Sequence, residues 1–314
     1  MNPSESSTGA IGNDSTTQIE RRTALGMIGA SLAGTALPAS LVQANLPAAT
    51  RKRGYAQGPH GLVHFHDAGG DGIPVVLSHQ SPQSSRQFDR LIPELIKRGL
   101  RPIAIDTPGF GMSDVPNFVP HIEDYATAFP CVLDHLQLAN AHFAGHHTGA
   151  QIVTEVALQF PQRVRTLIMH GPNPMTDEAR RRALAATDER EKHFVYEPDG
   201  SHLMKNFQLR WKMYGPGGNA ELTTRVIAEK FIGLGPFWYG HHASFSYAHE
   251  ISLKKIRHRA LIMTNTGDEI YAAAQVAREL RPDFDYVELQ GGTIDIVDQQ
   301  PEAWAEAVAR FING

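Results

Sequence analysis

The chain has 314 residues, 41% of them hydrophobic, with 29 Lys+Arg against 33 Asp+Glu for a net charge of -4. That length is ample for one large core, and the composition excludes a disordered, collagenous or polytopic membrane protein. The mild acidity leaves no footprint for a nucleic-acid partner. The single cysteine, Cys131, excludes an internal disulfide and any Cys-based zinc site, and in its apolar helical pattern it reads as packing.

Residues 1–19 are polar and rich in Ser, Thr and Asn. Arg21-Arg22 then precede an uncharged stretch through Val42 and a small-residue site at Val42-Gln43-Ala44. A basic pair, an apolar run and an A-x-A-like site in that order are expected of a secretory signal. The paired arginines resemble the twin-arginine export address, with Ala24 departing from the usual Phe. Residues 1–44 are therefore read as a signal peptide and 45–53 as a linker, giving a periplasmic or secreted protein. The run is too rich in Ala, Gly and Ser, and broken by Pro38, to be a stable membrane span.

Beyond the leader, short apolar strands alternate with amphipathic helices. Strands are expected at 54–57, 62–66 and 73–78, a helix at 84–98, a strand at 101–105 and a helix at 122–138. The pattern continues with strand 141–145, helix 147–160 and strand 164–170. It resumes later with strand 260–264, helix 271–280, strand 285–289 and helix 301–312. This is an α/β protein with a mostly parallel sheet covered by helices on both faces. Residues 173–250 interrupt it with a charge-dense helical run, 176–192, followed by many aromatic residues. They read as a helical lid with an aromatic underside or as an insertion with its own small core. The core is thus split into 54–172 and 251–314.

In such sheets ligands sit at the carboxyl ends of the strands. Four strand-ending turns resemble those of the α/β-hydrolase family: Ser78-His79-Gln80; the Gly-rich turn from Asp106 to Asp114; Gly145-His146-His147-Thr148-Gly149-Ala150; and Gly267-Asp268. The resemblance implies an oxyanion loop at His79 and Gln80, a nucleophile elbow with His147 at its apex, and a triad acid at Asp268. It also implies that Asp106 and Asp114 brace the Gly-rich turn. Two departures stand out. The apex is His147 where the family has Ser, Asp or Cys, and His tolerates the positive φ of such a turn better than the β-branched Thr148. The family's histidine before the last helix falls, by its usual spacing from Pro301, on Ile294, which cannot carry a proton. A conventional Ser-His-Asp mechanism is excluded in this register.

The favoured reading is a hydrolase acting on a small, largely apolar molecule. His147 serves as base or nucleophile, and the N–H groups of Thr148 and Gln80 stabilise an oxyanion. Asp268 orients His147, with Asp295 and His146 as second candidates, and Phe237 and Trp238 line the pocket. Three alternatives stay open. One is a lyase or cofactor-free oxygenase on the same fold, and another is a retired enzyme that only binds. The third is a metal site among His79, His146 and His147, or His241, His242 and His249, whose spacing matches no established motif. No cofactor is expected, since neither a dinucleotide fingerprint nor a P-loop is present.

Overall fold

The computed structural model describes residues 52–215 and 218–314. The expected leader, 1–44, lies outside the described residues, as does most of the linker. The strands are β1 (Lys52–Gly58), β2 (Gly61–Asp67), β3 (Ile73–Ser78), β4 (Leu100–Ile105), β5 (Ala141–His146), β6 (Val164–His170), β7 (Ala260–Asn265) and β8 (Asp285–Leu289). They form one sheet in the order β1-β2-β4-β3-β5-β6-β7-β8. β2 runs antiparallel to both neighbours and β3 to β8 are parallel. Every residue of β5 and β7 is buried. Both faces of these central strands are covered, so β7 opens on a continuous apolar run, Ala260 to Met263, rather than an alternating one.

The helices between them are α1 (Leu91–Ile96), α2 (Ile122–Ala126), α3 (Ala128–His135) and α4 (Thr148–Gln159). After β6 come α5 (Asp177–Thr187), α6 (Ser201–Tyr214), α7 (Ala220–Ile232), α8 (Trp238–Ser246) and α9 (His249–Ser252). The chain closes with α10 (Tyr271–Leu280), α11 (Ile296–Gln299) and α12 (Pro301–Asn313). One face of the sheet packs on α2, α3 and α4 through Tyr125, Phe129, Ile152 and Val156. The other packs on α1 and α12 through Leu91, Leu95, Trp304 and Val308. Burying each such side chain contributes about 1.5–3 kcal/mol.

Three helices differ from the periodicity. The helix expected over 84–98 is a 3-10 turn, Ser85–Phe88, capped by the Ser84 side chain, followed by α1. The one over 122–138 is split at Thr127, which ends α2 and starts α3. Pro130 has no N–H to donate to the carbonyl of Ala126, so the continuous ladder is lost there. The run 176–192 forms α5 and then a π turn, Asp188–Lys192, which turns Asp188 and Glu191 towards α8. Between β6 and β7 the insertion is helical. Most of its aromatics cluster with one another: Phe194, Phe231 and Phe237 stack edge to face or tilted, with the Lys230 ammonium over all three rings.

Candidate active site

The turn from β5 into α4 is held by two glycines. A Cβ on Gly145 would lie 2.1 Å from the Gly149 carbonyl oxygen, and one on Gly149 would lie 2.1 Å from the Ser78 carbonyl oxygen. Only glycine lets the helix start so close to β3 and β5. The residue at the apex must then take an unusual backbone conformation, and His147 has φ +50° and ψ -110°. Its N–H donates to the His170 carbonyl at 2.8 Å, which fixes the apex against the end of β6.

From that apex the imidazole meets Asp268 directly, with Nε2 2.8 Å from Oδ2. Burial pushes the Asp268 carboxyl up, but the charge and hydrogen bond of His147 outweigh it and hold it at about 2. An ionised carboxylate accepts, so Nε2 is the donor, and in the neutral ring Nδ1 keeps the lone pair. Gly171 closes off the other side of that edge, where an added Cβ would lie 2.4 Å from His147 Cδ2.

A pocket of about 440 Å³, including its open mouth, has His147 and Thr148 in its wall together with Ser81, Asn173, His241 and Ile294. The Thr148 N–H is in the first turn of α4, where no intrahelical acceptor exists. Among the described residues neither it nor the Ser81 N–H has a hydrogen-bond acceptor. Two unengaged backbone donors beside an imidazole with Nδ1 free can stabilise a developing oxyanion while a proton moves.

Other expected positions are corrected by the geometry. The Gln80 N–H is not available to an oxyanion, because it donates to Gln87 Oε1 at 3.0 Å; the Ser81 N–H one residue later is the unengaged donor in the pocket wall. His79 is buried behind the loop, with Nδ1 2.9 Å from the Gln80 carbonyl and Nε2 accepting from the Thr107 N–H at 3.0 Å. It ties the loops after β3 and β4 together rather than facing ligand. His146 is fully buried, with Nδ1 2.7 Å from Gln87 Nε2. Burial and the neighbouring His147, His170 and Arg210 push its pKa well down, so it is a neutral core group and not the orienter of His147. Phe237 packs in the aromatic cluster and Trp238 against Tyr239 and His242. Neither lines the pocket; one turn further along α8, His241, Ser244 and Phe245 do.

Asp295 is the largest surprise. It is completely buried and accepts from Gln80 Nε2 at 2.8 Å, Gln83 Nε2 at 3.0 Å and Arg210 Nε at 3.0 Å, with Arg210 Nη2 and the Tyr214 hydroxyl also on it. Burial pushes its carboxyl up, but Arg210 and these donors hold it below the usual range. It therefore belongs to a network between α6 and the loop after β3, not to His147. Sequence reading missed Arg210 and Tyr214. Their spacing on α6 gives no sign that they reach a loop so distant in the chain.

The proposed metal sets do not assemble. The nitrogens of His79 are engaged as described, and His249 is buried with Nε2 3.1 Å from Thr154 Oγ1 and Nδ1 accepting from the Asn173 N–H. Among the described residues, His146, His170 and Asp268 do bring one ligand atom each within 4.8 Å of one another. Both His170 nitrogens are already bonded, Nδ1 by the Trp304 indole N–H at 2.9 Å and Nε2 to Asn265 Oδ1 at 3.0 Å. Burial moves its pKa down to about 4. No helix among the described residues is long and apolar enough to cross a membrane.

Residues 73–213 match the model of the alpha/beta hydrolase fold family. Bifunctional epoxide hydrolase 2 of Sus scrofa is 36% identical over 110 residues, covering 33% of this chain and 19% of that protein. The 2-hydroxy-6-oxononadienedioate/2-hydroxy-6-oxononatrienedioate hydrolase of Escherichia coli K12 is 34% identical over 113 residues, covering 35% of this chain and 39% of that protein. The matched stretch thus spans well under half the length of either relative. Solved structures match more widely at lower identity. E-2-(acetamidomethylene)succinate hydrolase has a TM-score of 0.68 at 19% identity, covering 84% of this chain and 100% of that one. Epoxide hydrolase A from Mycobacterium thermoresistibile has a TM-score of 0.66 at 21% identity, covering 84% and 99%. Strand order, family model and solved structures agree that this is a protein of the α/β-hydrolase fold.

Proposed function

We propose that the chain is a hydrolase of a small, largely apolar substrate, exported by the signal read in residues 1–44, in which His147 is the general base. The carrying observation is the 2.8 Å bond between His147 Nε2 and Asp268 Oδ2 at the elbow, where the fold normally presents a nucleophile. Asp268 fixes the tautomer, and Nδ1 takes a proton from water as the water oxygen attacks the substrate. We favour the base over the nucleophile because Nδ1 is the ring nitrogen nearest the His147 backbone, which crowds a covalent adduct there. The Thr148 and Ser81 N–H groups receive the oxygen on which charge develops. Phe245, Ile270 and Ile294 in the pocket wall favour an apolar substrate, with the α5–α8 insertion as its lid. Relatives named as an epoxide hydrolase and a dienedioate/trienedioate hydrolase support hydrolysis over lyase or oxygenase chemistry.

The test is turnover of a panel of esters, lactones, epoxides and vinylogous diketones by the purified protein beside His147→Ala. The variant should lose about 10²–10⁴-fold in kcat/KM, the range for a positioned base. Turnover that survives the substitution overturns the assignment.

A further inference from the structure

His147 is not the only imidazole in the pocket wall backed by a buried carboxylate. His241, on α8, lines the same pocket, and its Nδ1 is 2.8 Å from Glu191 Oε2. Glu191 has only 5% of its side chain exposed and lies in the π turn that follows α5. Single π turns inside helices cluster at functional sites, and this one turns Glu191 to α8, where His241 stands. Burial pushes the Glu191 carboxyl up, but the charge and hydrogen bond of His241, with Lys230 and Arg190, hold it at about 2. The ionised carboxylate therefore accepts from Nδ1–H, and Nε2 is the nitrogen left for a ligand; it has no partner among the described residues.

We infer that His241, held by Glu191, is the second catalytic residue of the site, the general acid that protonates the leaving group. This rests on the hydrolytic reading of His147. The fold's missing histidine after β8 is replaced by two histidine–carboxylate pairs, one on the core and one on the insertion. On a carbonyl substrate, His147 Nδ1 takes a proton from water while the water oxygen bonds to the carbonyl carbon and the carbonyl electron pair moves onto oxygen. As that pair returns, the bond to the leaving group breaks and the leaving atom takes the proton from His241 Nε2. His147 then gives its proton to solvent and His241 regains one, so each cycle consumes one water.

The pair sets opposite pH requirements. Activity needs His147 neutral and His241 protonated, so it rises on the acid side and falls on the alkaline side. The charged groups around His241 are Glu191, with Arg190 3.3 Å from that same carboxylate and Lys230 near it. Beside it, His242 is bonded to Asp188 at 2.8 Å, and Glu269 and His147 share the pocket wall.

The test compares ethyl butyrate with p-nitrophenyl butyrate, since nitrophenolate leaves without a proton and ethoxide does not. His241→Gln should lose at least about tenfold more kcat/KM on the ethyl ester than on the nitrophenyl ester, and its alkaline limb should disappear. Glu191→Gln keeps the imidazole but removes its anionic partner, so the alkaline limb should move to lower pH. Equal losses on the two esters, or an unmoved alkaline limb in both variants, overturn the inference while leaving His147 in place. Loss of His147 dependence itself overturns the underlying hydrolytic reading instead.

Discussion

At the end of β7, Asp268 faces His147; at the end of β8, Asp295 faces Arg210 and Tyr214. Both carboxylates are buried, both are held ionised by a partner on another element, and both sit beside the loops that build the pocket. The difference lies in the partner. An imidazole can take up and return a proton at a ring nitrogen, so its carboxylate can serve chemistry. A guanidinium never gives up its proton, so Asp295 can only hold structure. The position before Asp295 is Ile294, which puts an apolar side chain in the pocket wall. One strand-ending loop sets its carboxylate on an imidazole of the pocket wall, and the other forms a clasp between α6 and the loop that carries Ser81.

That contrast can be broken most severely at the clasp. Arg210→Ala leaves Asp295 buried without its cation and should cost about 3–5 kcal/mol, read from urea unfolding. A loss below about 1 kcal/mol would mean that water or another cation replaces the guanidinium. The dyad should respond to pH instead. The Asp268 carboxyl is depressed from 3.8 to about 2, so its contribution is present above pH 3.8 and is lost as pH falls through 2. The shift corresponds to roughly 2 kcal/mol. Asp268→Asn should therefore flatten the acid side of the stability–pH curve, and an unchanged acid limb would place that titration elsewhere. The mildest change, Tyr214→Phe, removes one of several donors to Asp295 and should cost about 1 kcal/mol while leaving kcat/KM for p-nitrophenyl butyrate within about threefold. A large loss of activity with unaltered stability would draw the clasp into the chemistry after all.

Strands β3, β6 and β8 and helix α10 match their sequence-read bounds to the residue, because short apolar runs and amphipathic stripes there end at abrupt polar or glycine boundaries. The bounds fail where local hydrogen bonding intervenes, at Pro130 within 122–138 and at the π turn after α5. The elbow was legible for a related reason: two glycines spaced around His147 record a backbone that only one conformation satisfies.

Sequence by itself determined the sheet and the glycine-flanked turn that presents His147 after β5, since each is written in local pattern or spacing. Only the tertiary structure decided which partners the polar side chains take. Gln87, seven residues on, engages the Gln80 N–H; Arg210, 85 residues away, claims Asp295; Glu191, 50 residues away, claims His241. Buried polar groups must find partners wherever the packed elements bring them, and separation along the chain carries no record of that choice.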